Sequence, residues 1–421
     1  MSAGCTRESS MQLSTTLPAF QAIDGFVGNS QHASNLQLRA CPVCQHSEQR
    51  SVVAMNDFQF FTDSATAPKR ARLQQMQCQH CLALFLNPCY SDAGFANLFA
   101  EAGMSYGSSA LRPTEQRDWL DARGLLQPGS VALDVGCYDG DFLSQLPAEL
   151  LRQGVDIDAG AISRGRQRDP ALELVHSAFD RFSVSRCPQL ITMFHVLEHL
   201  TDPVSVLRRL REVASDDARL VVEVPVLEWG STNDINGFLS VTHVTHFSCH
   251  SLRNALQVAG WQLIEAAKMD GYNGYRVVAV KAAPQAALPG DAGELLALQA
   301  ILDSWELARQ HADRALAVLT GQARTVVWGA GLHTEFLYQR SRLFKDSEQR
   351  FLLVDSDALK QGHSWRGLPI LAPSALVELD WTDTHLVVSS YGGQAAITAA
   401  ALALGVPADR VLCLYDEVCV C

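Results

Sequence analysis

The chain has 421 residues, 48% hydrophobic and 19% charged. These are values of a globular protein too long for one core, so two to four domains are expected. A net charge of -12 argues against a protein whose main task is to neutralise nucleic-acid phosphates. The first forty residues carry no signal-peptide pattern, and no apolar run is long enough to span a membrane. A soluble cytoplasmic protein with reduced thiols is therefore expected. There, paired cysteines among the 12 present read as metal ligands before disulfides.

Residues 1–37 are polar, with little periodicity, and read as a flexible arm, with a short helix near Phe20. Residues 38–105 follow as a ribbon with a linking helix. Cys41-Pro-Val-Cys44 and Cys78-Gln-His-Cys81 each place two thiols on one tight turn. Two such turns complete a closed tetrahedral four-sulfur site, structural in kind, for zinc. The 33 residues between the pairs leave room for a hairpin. His46, His80 and Cys89 are alternative ligands. Residues 91–118 read as helical with an aromatic patch of Phe95, Phe99 and Tyr106, and a helix from Glu115 to Leu126 leads to a Pro128-Gly129 turn.

Residues 106–283 alternate strand and helix. Val131–Val135 is an apolar strand ending in a glycine turn with Gly136 and Gly140. Strand, glycine turn and helix start form the geometry that aims backbone N–H groups at a ligand. The run QGVDI is the second strand. Its Asp156 lies 22 residues after Asp134, where an acid can take a ribose hydroxyl pair. A helix at Ala159–Arg168, strands at Leu172–His176 and Leu190–Phe194, and a helix capped by Asp202-Pro203 come next. A strand at Leu220–Val224, a helix at Ser251–Ala259 and a strand at Arg276–Val280 close a doubly wound parallel sheet. Residues 284–322 are a helical linker with a long helix from Asp291 to Leu319. Residues 323–421 start a second Rossmann-like α/β unit at Thr325–Trp328, followed by Gly329-Ala-Gly331 with Thr334 where a third glycine would stand. Phe351–Val354, Leu386–Ser389 and Arg410–Leu414 supply its further strands.

Asp134-Val-Gly136-Cys-Tyr-Asp-Gly140, Asp156, and Phe194-His-Val-Leu-Glu-His199-Leu-Thr-Asp-Pro together resemble the motifs of class I S-adenosylmethionine (SAM)-dependent methyltransferases. The resemblance covers about residues 111–282. It implies SAM as cofactor, held by Asp134, Gly136, Cys137, Tyr138, Gly140, Asp156, Ile157, Ala178, Phe179, Phe194 and His195. Tyr138 stands where many members have a glycine. The wider order of parts is similar to the sugar C-methyltransferases: CQHCLALFLNP matches their zinc ribbon, and VVWGAG with LLVDSDALKQG matches their C-terminal Rossmann-like domain. That likeness implies a nucleotide-linked keto-deoxysugar methylated at carbon. Ser240 and Thr242 stand where that family has Tyr and Glu, and His243 is retained.

A sulfonium methyl is already activated, so the protein must align the partners and supply a base. Histidine suits that role at neutral pH. His243, His246 and His250 lie in the loop after the fifth strand, and His195 and His199 flank the end of the fourth. His243 is the first choice for the base, then His199 or His246; a structural histidine is the bland alternative for each. Glu198 reads as a group that binds a backbone amide or caps a helix, and Tyr272 and Tyr275 as candidate lining of the acceptor pocket or as core packing. The expected partner is a small molecule, with no nucleic acid and no membrane, for a monomer or dimer. Rival readings are O- or N-methylation of another metabolite, a zinc-ribbon nucleic-acid-binding protein with a degenerate core, and a nucleotide-sugar sensor role for the C-terminal unit.

Overall fold

The computed structural model describes residues 35–60, 69–99, 112–229, 240–269, 274–319, 324–344, 350–390 and 392–415. The helix expected near Phe20, the Phe99 and Tyr106 side chains, and Tyr272 lie outside the described residues. The chain divides into two compact units: among the described residues, one carries 35–57 and 71–305, the other 58–60, 69–70 and 306–415.

In the first unit, β1 (Leu36–Gln37) pairs antiparallel with β5 (Cys89–Tyr90), while β2 (Gln49–Phe60), β3 (Lys69–Cys78) and β4 (Leu84–Leu86) lie in one sheet. β2 and β3 fill the interval between the cysteine pairs. Of the stretch 91–118 read as helical, the described residues hold α1 (Asp92–Phe99) and the first part of α2 (Arg112–Asp121). α2 also replaces the helix expected from Glu115 to Leu126. It stops early because the chain turns at Gly124, whose φ of 63° no L-residue adopts cheaply.

The core strands are β6 (Val131–Val135), β7 (Leu151–Asp156), β8 (Glu173–His176), β9 (Leu190–Phe194) and β10 (Arg219–Pro225). They are joined by α3 (Asp141–Ser144), α4 (Ala159–Arg168) and α5 (Pro203–Val213). All five strands run parallel. Asp202 caps α5 by accepting the Ser205 N–H at 3.0 Å, and the helix buries Val204, Leu207 and Leu210 on the sheet. A short β11 (Thr245–His246) and α6 (Cys249–Ala259) precede β12 (Trp261–Lys268) and β13 (Gly274–Lys281).

The sheet order is β12-β13-β10-β9-β6-β7-β8. β13 is antiparallel to β10 and to β12, which corrects the expected wholly parallel sheet. The sequence reading passed over β12 because it is an exposed edge strand. A register shift between Leu263 and Glu265 breaks its period-two alternation. The chain runs outward from β6 to β8, then crosses back to β9 beside β6. That reversal leaves a crevice at the carboxyl ends of β6 and β9, where open α/β sheets bind ligands.

Helix α7 (Ala292–Ala315) follows the 284–290 linker. In the second unit, the described strands order as β16-β17-β15-β14-β18-β19, from β14 (Arg324–Trp328), β15 (Arg350–Val354), β16 (Ser364–Trp365), β17 (Leu368–Leu371), β18 (Thr384–Val388) and β19 (Val411–Cys413). Its first turn is close-packed: a Cβ on Gly329 would meet the Ser389 carbonyl oxygen at 2.6 Å. The buried Thr334 hydroxyl bonds to Ser389 at 2.6 Å. Asp355, at the end of β15, accepts the N–H groups of Ala330 at 2.6 Å and Asp357 at 2.8 Å. No helix among the described residues is long and apolar enough to cross a membrane.

Candidate active site

The turn after β6 is built by backbone conformations that glycine permits. Gly136 and Gly140 both have φ of 79°. A Cβ on Gly136 would stand 2.3 Å from the Val196 side chain, and one on Gly140 2.8 Å from Leu172. The turn is anchored on β7, where the Val155 carbonyl accepts the Gly136 N–H at 2.8 Å. Tyr138, in place of the family's glycine, also takes positive φ (52°), and its hydroxyl accepts from Arg164 at 3.1 Å. The ring is thereby drawn toward α4.

Two buried carboxylates bracket this turn. Asp134 accepts the Thr192 hydroxyl at 2.6 Å, and burial pushes its pKa up to about 7. Asp156 accepts the N–H groups of Tyr138 and Asp158, both at 2.8 Å. One carboxylate thus ties the ends of two loops and keeps further acceptor capacity on each oxygen. Burial raises the Asp156 pKa. Ile157 beside it is 52% exposed, an apolar surface next to a polar acceptor. Phe194 stacks edge-on against Phe142 at 5.2 Å. Phe179 is buried, Ala178 half-buried and Cys137 buried.

The segment after β9 carries a second group. His195 has φ of 55°, an uncommon conformation for a histidine and one that clusters at functional sites. Its Nε2 bonds to Glu223 at 2.8 Å, and its Nδ1 lies 3.4 Å from Glu198. Burial opposes charge on the ring, but the two carboxylates win and raise its pKa to about 9. Glu223 is in turn paired with Arg276 at 2.6 Å, and Arg276 reaches Glu115 at 2.8 Å. Sequence reasoning missed Glu223, Arg276 and Glu115. For Glu223 and Arg276 the signal was faint, an acid and a base in the midst of otherwise apolar strands, and Glu115 stands on α2.

His199 donates from Nδ1 to the Thr242 carbonyl at 2.9 Å, since a carbonyl can only accept. That leaves the His199 Nε2 lone pair directed elsewhere. The ring stands edge-on to His243, with centroids 4.8 Å apart. His243 lies 6.3 Å from His246. His246 Nε2 accepts from the Gln75 amide at 2.8 Å, so this histidine is engaged by β3. Burial depresses His243 to about 3 and His246 to about 4, which keeps both neutral at pH 7. His250 does not join this group: it opens α6 and faces Asp291 at 3.4 Å. Glu198 is no cap: it is 1% exposed, and neither carboxylate oxygen has a hydrogen bond. Ser240 and Thr242 hydroxyls stand 3.0 Å apart. Tyr275 is buried on β13.

The loop that carries His243 is held by the ribbon. β11 pairs antiparallel with β4, with Thr245 opposite Phe85 and His246 opposite Leu84. Arg39 donates to the carbonyls of Val244 and Thr201, both at 2.5 Å. The ribbon strands thereby fix the backbone on both sides of the histidines.

Residues 110–266 match the family model described as a methyltransferase domain. The central domain is that of a SAM-dependent methyltransferase. No curated protein matches the chain. Among solved structures, the methyltransferase is similar to magnesium protoporphyrin IX methyltransferase from Synechocystis PCC 6803 (19% identity, 45% of this chain and 95% of that one, TM-score 0.35). It is also similar to the N-methyltransferase NodS from Bradyrhizobium japonicum WM9 bound to S-adenosylhomocysteine (17%, 40% and 85%, 0.33). A third is a methyltransferase complex with the activator Trm112 from Haloferax volcanii (14%, 41% and 95%, 0.34).

The methyltransferase also carries the four-cysteine group. Cys41, Cys44, Cys78 and Cys81 place their sulfurs within 4.8 Å of one another. Cys41 and Cys81 sulfurs are 3.6 Å apart, and those of Cys44 and Cys78 are 3.5 Å apart. Four sulfurs about 2.3 Å from a tetrahedral zinc stand about 3.7 Å from one another, whereas a disulfide needs about 2.05 Å. The group therefore fits a closed zinc site. His46 and His80 stack at 3.9 Å and lie near Cys44, while Cys89 is outside the four-sulfur group.

Proposed function

We propose that the methyltransferase methylates a small molecule, and that the acceptor is a nucleotide-linked keto-deoxysugar methylated at carbon. The supporting observation is that His243 stands beside His199, on the turn that packs against the glycine loop. Val196, between His195 and Leu197, is the side chain that lies closest to Gly136. Asp134, Gly136, Tyr138, Gly140 and Asp156 would hold the cofactor, with Ile157, Ala178 and Phe179 around its base and Cys137, Phe194 and His195 beside its amino-acid end. The cofactor supplies a methyl group on a positively charged sulfur. The chain's own residues bind the acceptor, exclude water and take a proton from the acceptor carbon. His243 is assigned as the base on its position, with its ring set edge-on to His199; burial leaves it neutral but weakly basic.

Ser240 and Thr242 favour a second reading, transfer to oxygen or nitrogen, because hydroxyls replace the Tyr and Glu of the sugar enzymes. His243→Ala is expected to lower kcat by at least about 100-fold, with SAM affinity changed less than about threefold. Unchanged turnover would remove His243 from the reaction.

The Cys41, Cys44, Cys78 and Cys81 group is proposed to hold one structural zinc that positions the His243 loop through β3 and β4. Metal analysis of the purified chain should find a zinc that a Cys41→Ser, Cys44→Ser double variant lacks. A folded wild-type chain free of metal would overturn this assignment.

A further inference from the structure

We infer that Glu198, His199 and His243 form a site for one divalent transition-metal cation, distinct from the four-cysteine group, on the acceptor side of the crevice. One carboxylate and two imidazoles offer ligand atoms that lie within 4.8 Å of one another. Glu198 Oε1 and His199 Nε2 are 4.0 Å apart. Ligand atoms about 2.1 Å from one ion stand about 3.0–4.2 Å from each other, so small side-chain rotations close the group.

Three further features point to a ligand here. Both Glu198 oxygens are buried without a hydrogen bond, and the charge is met by the His195 imidazole 3.4 Å from Oε1, with capacity left for a further cation. His199 Nδ1 is fixed on the Thr242 carbonyl, which directs the Nε2 lone pair away from the backbone, as outer-shell carbonyls do for metal-bound histidines. His195, braced by Glu223, lies 3.4 Å behind Glu198 and orients it.

The donor set of two nitrogens and one carboxylate suits zinc, iron, cobalt or nickel better than magnesium or calcium. Three protein ligands leave at least one position open, unlike the closed sulfur site. The occupant of that position is an acceptor oxygen next to the atom that is methylated, such as the ketone of the proposed sugar. This inference rests on the methyl-transfer reading and deepens it. In the ion-bound state His243 would be a ligand and not the base: the ion would hold and acidify the acceptor through its oxygen, and the proton would leave to solvent water.

The test is a titration of the full chain, four-cysteine zinc in place, with Co2+, whose visible bands separate nitrogen and oxygen ligands from thiolates. The wild type is expected to take one Co2+ without a sulfur charge-transfer band. Glu198→Gln and His243→Gln should each weaken it by about 100-fold or more. His250→Gln, in the neighbouring His250–Asp291–Glu294 group, should leave it unchanged. No ion beyond the four-cysteine zinc would overturn the inference, as would binding that survives both substitutions and falls with His250→Gln. SAM calorimetry and zinc content on the same samples report folding of each variant. Intact SAM binding without Co2+ sinks only the ion site, whereas absent SAM binding sinks the methyl-transfer reading.

Discussion

Asp156→Ala is expected to weaken SAM binding by about 100- to 10,000-fold in calorimetry. Two ribose hydroxyls on one carboxylate contribute about 1.5–3 kcal/mol each, and 1.4 kcal/mol is tenfold in affinity. The carboxylate also accepts the Tyr138 and Asp158 N–H groups, so its loss frees both loops. Asp156→Asn separates the two effects. The amide keeps one acceptor for the loops and loses the charge, so its affinity should fall between the wild type and Asp156→Ala. An Asp156→Ala affinity within about threefold of the wild type would move the ribose site elsewhere.

Arg276→Ala is expected to destabilise the fold by about 3–5 kcal/mol in urea unfolding. Arg276 and Glu223 are both fully buried and paired at 2.6 Å, and the guanidinium also lies over the rings of Trp119 and Phe194 at 4.9 and 5.4 Å. Removing it leaves Glu198 and Glu223, two buried carboxylates, facing the single His195 imidazolium. Arg276→Lys should recover little, because an ammonium cannot pair with Glu223 and Glu115 in a fork or stack on two rings. A loss below about 1 kcal/mol would mean that water or a rotamer change relieves the buried charge.

Residues 131–225 were legible because their signals are local. Apolar runs, Gly136 and Gly140, and the Asp202-Pro203 cap announce themselves over a few residues, and strands β6, β7, β9 and β10 lie where those runs are. The antiparallel end of the sheet was not legible, since β12 is an exposed, bulged edge without alternation. The charged chain from Glu115 through Arg276, Glu223 and His195 to Glu198 was hidden for a different reason. Its members are separated by up to 161 residues and meet only across the sheet. Glu198 reads as a cap from its neighbours. Only burial without a hydrogen bond gives it another meaning. Likewise, the link from ribbon to His243 loop is a strand pair of two residues, too short for any periodicity to reveal.

The central claim is that the crevice at the ends of β6 and β9 holds SAM. Calorimetric titration of the full-length chain with SAM tests it most directly. One equivalent bound per chain, displaced by S-adenosylhomocysteine, is the result expected. No binding by a folded wild-type chain would contradict it.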